Sequence, residues 1–140
     1  MNRKYQGFTL VELLLVIAII AIMASLVISA FSNAAADSRG VLVRQQQAVV
    51  QEAVNSWISY NSAGTNSLAS AQATYNAQTT GIARLGLVKD YLDQSTYDHL
   101  TANTTDDNQV ASSAMIKTSQ YLQITDWPTR SYPKVNLISQ

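Results

Sequence analysis

Few side chains in this sequence are equipped for chemistry, and their spacing decides which of them matter. His99 is the one histidine, and there is no cysteine. A Ser–His–Asp arrangement around His99 is marked by nothing in the spacing, so it reads as an exposed or helix-end residue. The lack of cysteine removes disulfides and thiolate-held zinc or iron–sulfur centres, and leaves the redox compartment open. No glycine-rich phosphate loop and no metal-binding histidine pair is present. Asp106, Asp107 and Asn108 offer oxygen ligands of the kind Ca²⁺ takes, but their composition favours a solvated acidic loop. No cofactor is implied. The unusual chemistry lies at the other end, in Gly7-Phe8-Thr9-Leu10-Val11-Glu12. Glu12 stands at the start of an apolar run with a lone glycine, Gly7, ahead of it. A carboxylate inside a membrane helix costs a few kcal/mol and usually has a partner.

The element that must position Glu12 is apolar throughout. From Leu13 to Ala36 there are 24 residues without a charge. A helix rising ~1.5 Å per residue crosses ~30 Å of hydrocarbon in about 20 residues, so the run is long enough to span a membrane. Arg3 and Lys4 precede it, which places the N-terminus in the cytoplasm and the bulk of the chain outside. Three readings compete. An ordinary secretory signal has an apolar stretch of roughly 7–15 residues before a small-residue cleavage site. Ala34-Ala35-Ala36 imitates such a site, but the run is longer. A plain membrane anchor explains the length and the basic flank, and leaves Gly7 and Glu12 unexplained.

The third reading accounts for both. With basic residues before it and the apolar run after it, Gly7–Glu12 resembles the class III signal of type IV pilins and type II secretion pseudopilins. The resemblance covers about the first 30 residues. It implies a leader at residues 1–7, cut after Gly7 by a prepilin peptidase on the cytoplasmic side, and methylation of the new terminal residue, Phe8. Glu12 falls where the family places its glutamate. The resemblance further implies that Glu12 pairs with the α-ammonium of Phe8 on a neighbouring subunit. Buried charges are costly alone and offset one another when paired, and such a pair fixes register. Arg3 and Lys4 supply the leader charge. Many type IV pilins carry a proline in the apolar half, and Ala24-Ser25-Leu26-Val27-Ile28-Ser29 has none. Small residues at Ala18, Ala21, Ala24, Ser25 and Ser29 suit close helix packing as well as they suit ordinary membrane-helix composition.

Beyond Asp37 the sequence turns amphipathic. Leu42, Val49, Val50, Ala53, Val54, Trp57 and Ile58 recur at helical spacing, with Arg39, Arg44, Gln45, Gln47, Gln51 and Glu52 between them. One helix from about Thr9 to about Tyr60 is expected, apolar all round in its first half, with Gly40 as a point of weakness. Residues 61–80 read as a polar surface segment holding a short helix near Ser67, ended by Gly81. Leu85, Val88 and Leu92 mark another helical patch, Ser95 is a candidate cap, and residues 101–108 a loop. Residues 114–117, 120–125 and 134–139 read as two or three short antiparallel strands, with Leu122 and Ile124 on one face. Residues 126–130 read as a turn, and Trp57 and Trp127 as core.

The expected class is α+β with the lollipop form that the pilin resemblance implies. Its parts are a leader (1–7), a transmembrane or filament-core half-helix (8–36), an amphipathic half-helix (37–60) and a globular head (61–140). Lys+Arg and Asp+Glu number nine each in 140 residues, which gives no general attraction to nucleic acid. The expected role is structural rather than enzymatic. The resemblance implies a filament subunit in the bacterial inner membrane with its C-terminal part extracytoplasmic. Its partners would be prepilin peptidase, copies of itself and other pilin-like subunits, an inner-membrane assembly platform, and lipid. The alternative is a membrane-anchored binding module that does not polymerise. Without cysteine there is no disulfide loop of the kind common in Gram-negative pilins, which inclines the reading toward a pseudopilin or a less familiar pilin.

Overall fold

The computed structural model describes residues 7–63 and 67–140, so the leader charges Arg3 and Lys4 lie outside the described residues. Helix α1 runs over Leu10–Asn61, matching the single long helix expected. By contacts the chain divides into Met1–Asp37 and Ser38–Gln140. In the first unit every described residue is exposed, as befits a helix apolar all round with no protein to bury it.

The second unit holds the core. From α1 it takes Val43, Val50, Ala53, Val54, Trp57 and Ile58. That spacing keeps one stripe inward, and it selects Val43, where Leu42 was expected. Leu42 sits about 100° further round the helix and is exposed. Gly40 does not interrupt α1, and a Cβ there would meet nothing within 4 Å.

Among the described residues four short helices follow, each started by a side chain that accepts from an unpaired backbone amide. Ser67 caps α2 (Leu68–Asn76) through the Ser70 amide. Thr80 caps α3 (Gly81–Leu87) through Ala83. Asp93, not Ser95, caps α4 (Gln94–Ala102) through Thr96, and these hydrogen bonds hold its carboxyl below the usual carboxylate range. Ser112 caps α5 (Ser113–Lys117) through Met115. A 3₁₀ turn at Lys89–Tyr91 joins α3 to α4.

One further expectation holds and another is corrected. Gly81 ends the polar segment, as expected, and it does so by beginning α3. Its bare Cα permits close approach, since a Cβ would lie 3.2 Å from the Asn108 carbonyl oxygen and 3.3 Å from that of Asp107. The neighbouring Ile82 amide donates to the Asp107 carbonyl at 2.8 Å. Residues 114–117 form α5 rather than a strand, because the Ser112 cap nucleates a turn that the single β-branched Ile116 does not oppose. The chain then reverses through Ser119, whose φ of 52° is left-handed.

The sheet has two antiparallel strands, β1 (Gln120–Ile124) and β2 (Val135–Ser139), in register from Gln120 opposite Ser139 to Ile124 opposite Val135. Leu122 and Ile124 are buried and Gln123 is exposed, the alternation expected. Val110 adds a single bridge to Leu122.

Polar side chains fasten these pieces. Gln47 and Gln51, one turn apart on α1, read in sequence as part of its polar face. Gln47 Nε2 donates to the Val135 carbonyl at 2.9 Å, and Gln51 Oε1 accepts from the Val135 amide at 2.8 Å. From α2, Asn76 both donates to the Trp127 carbonyl and accepts from its amide, each at 2.9 Å. Trp127 is thereby held edge-on to Tyr75, with ring centres 6.1 Å apart, and Tyr75 in turn lies 5.9 Å from Trp57. Both tryptophans are core, as expected.

Candidate functional site

Helix α1 begins at Leu10, and Gly7, Phe8 and Thr9 are not helical. Three hydrogen bonds define the boundary. The Thr9 amide and the Thr9 hydroxyl both donate to Glu12 Oε2, at 2.9 and 2.8 Å. The Glu12 amide donates back to Thr9 Oγ1 at 3.2 Å. This reciprocal Thr-x-x-Glu arrangement is a capping box, and it satisfies two of the donors that a helix start leaves unpaired. The carboxylate also lies at the positive end of the helix dipole.

Of the residues singled out in sequence, the structure places Gly7 and Phe8 just ahead of α1 and Glu12 in its first turn. Phe8 is exposed, as is the apolar surface of the helix that follows. Among the described residues, Glu12 is the only charged side chain from Gly7 to Ala36. Thr9 is not among the residues singled out in sequence. The signal for it was present, because Ser or Thr three residues before Asp or Glu at the head of an apolar run marks a capping box.

The other chemical candidates do not converge. Asp106 and Asp107 are exposed on a turn in which Asp106 Oδ1 accepts from the Asn108 amide at 2.8 Å. No cluster of three or more metal-ligating side chains occurs among the described residues. His99 is exposed in the last turn of α4. It borders a groove of about 350 Å³ with Leu42, Gln45, Gln46, Val49 and Thr96, and no carboxylate lines that groove to orient its imidazole. Within it Ser112 Oγ already donates to Gln46 Oε1 at 2.7 Å.

Residues 2–28 match the family model of the prokaryotic N-terminal methylation motif. That stretch, containing the capping box and most of the exposed apolar helix, is therefore the prepilin-type signal of type IV pilins and pseudopilins. Comparison of the chain with curated proteins and with solved structures gave no match.

Proposed function

We propose that this chain is a structural subunit of a type IV pilus-like or type II secretion pseudopilus filament. Prepilin peptidase hydrolyses the Gly7–Phe8 bond, leaving a carboxylate on Gly7 and an ammonium on Phe8, and the amine is then methylated. Before assembly, α1 anchors the subunit in the bacterial inner membrane by one pass, with the C-terminal unit on the extracytoplasmic side. An assembly platform then draws the subunit into a filament whose interior is built from the apolar half of α1, packed against copies and other pilin-like subunits. Glu12 meets the Phe8 ammonium of a neighbour, and each charge offsets the desolvation of the other.

The observation that carries this reading is the match at residues 2–28, with Glu12 the one carboxylate on the otherwise uncharged, exposed stretch from Gly7 to Ala36. A plain anchor needs the helix and has no use for the carboxylate. The test is the intact mass and N-terminal sequence of the membrane-extracted protein. A chain starting at N-methylated Phe8 supports the proposal, and a chain starting at Met1 defeats it. Assembly has its own test. Glu12→Leu should leave the subunit in the membrane and abolish its incorporation into filaments, whereas a filament of normal yield would leave only an anchor.

A further inference from the structure

We infer that Thr9 is a positioning residue for leader cleavage: its capping box with Glu12 ends α1 at Leu10 and keeps the Gly7–Phe8 bond outside the helix. This rests on the reading of residues 2–28 as a processed signal.

At a membrane surface a helix has reason to continue. Each backbone amide left unpaired in an apolar setting is costly, and another helical turn would pair it. In a helix extended toward the N-terminus, the Thr9 amide would donate to the carbonyl four residues earlier, and the Glu12 amide to that of Phe8. Both amides are already taken by side chains, the first by Glu12 Oε2 and the second by Thr9 Oγ1. The box therefore substitutes for the very hydrogen bonds through which the helix would propagate. Peptide-binding clefts commonly engage an extended chain through its main-chain groups. A helical Gly7–Phe8 bond would have to unwind first, and the rate would fall by the fraction of molecules still helical.

The box needs a hydroxyl at position 9 and an acceptor oxygen at position 12, and it needs no charge, since glutamine serves in place of glutamate. Pairing with a neighbour's ammonium does need the charge. The two roles of Glu12 are thus separable by one substitution.

The experiment follows leader loss by intact mass, using the full-length chain in membranes with active prepilin peptidase. Thr9→Val, which keeps the shape and removes the hydroxyl, should slow initial cleavage roughly fivefold, within the range that loss of a cap produces. Thr9→Ser should restore the rate to within about twofold of the parent. Glu12→Gln should also be cleaved within about twofold, yet fail to enter filaments. Amide exchange on the same full-length chain in lipid should show Phe8 newly protected in Thr9→Val. Cleavage of Thr9→Val at the parent rate or faster would overturn the inference. So would failure of Thr9→Ser to rescue, or a Glu12→Gln defect as deep as that of Thr9→Val. A parent chain that is never cut at Gly7 is a different result, and it removes the reading of the signal together with this role for Thr9.

Discussion

Among the described residues Arg84 is the one charged side chain in the core, nearly fully buried. Its Nη1 donates to the Ile124 carbonyl at 2.8 Å and its Nη2 pairs with Asp126. Its guanidinium lies 5.9 Å from the centre of the Tyr75 ring. Asp126 is 78% exposed, so water screens that pair, and the carbonyl and ring contacts hold the arginine more than the carboxylate does. Asp126→Asn should therefore cost no more than about 1 kcal/mol in urea unfolding. Arg84→Ala should cost about 2–4 kcal/mol, because it opens a cavity and strands the Ile124 carbonyl. Tyr75 carries the same environment into pH dependence. Burial pushes its hydroxyl up to about 12, with Arg84 opposing and Asp126 reinforcing the shift. The folded value lies above the ordinary ~10 of an unfolded tyrosine. The stability it contributes is thus whole below pH ~10 and is lost as pH rises through ~12. Tyr75→Phe should flatten the alkaline limb of a stability-versus-pH curve above pH ~10, and an unchanged limb would show that the hydroxyl ionises without penalty. None of this was legible in the sequence. Arg84 appeared there only as the first charge after Glu52, because burial of an arginine depends on partners 40 and 42 residues away.

At the scale of elements, periodicity and caps carried much of the information. The single helix ending near Tyr60, the short helix starting near Ser67 and the two terminal strands follow from spacing, and they are where the sequence places them. Errors gathered where a polar residue had two local uses. Ser95 and Asp93 both suit a cap, and Asp93 takes it. At the candidate site, Gly7, Phe8 and Glu12 were legible from residue type and spacing, whereas Thr9 acts through a hydrogen-bond geometry. Gln47 and Gln51 read as solvent-facing because α1 is polar there, and only the fold brings β2 against them. Gln51→Ala would leave the Val135 amide without its acceptor, an unpaired donor that costs about 1–3 kcal/mol when buried. Thermal unfolding of Gln51→Ala should show a loss of that size. A change within error would mean that water replaces the glutamine.

At the scale of the molecule, the two units ask for different surroundings. Residues 10–36 expose almost nothing but apolar surface, while Ser38–Gln140 encloses its own core. A chain begun at Ser38 should be soluble without detergent and unfold in one cooperative step, and the full chain should need detergent or lipid. Aggregation of the shorter chain would show that its core draws on the apolar segment. The clasp of α1 on β2 has a consequence for the chain as it is made. Gln51 waits for Val135, 84 positions later. At roughly 5–20 residues per second, that interval lasts about 4–17 s of synthesis. Throughout it the inward stripe of α1, with Val50, Val54 and Trp57, lacks the last part of the core it belongs to, which includes Val135. The hazard of a sticky nascent chain therefore concentrates in one interval, and a holding chaperone would have its work there.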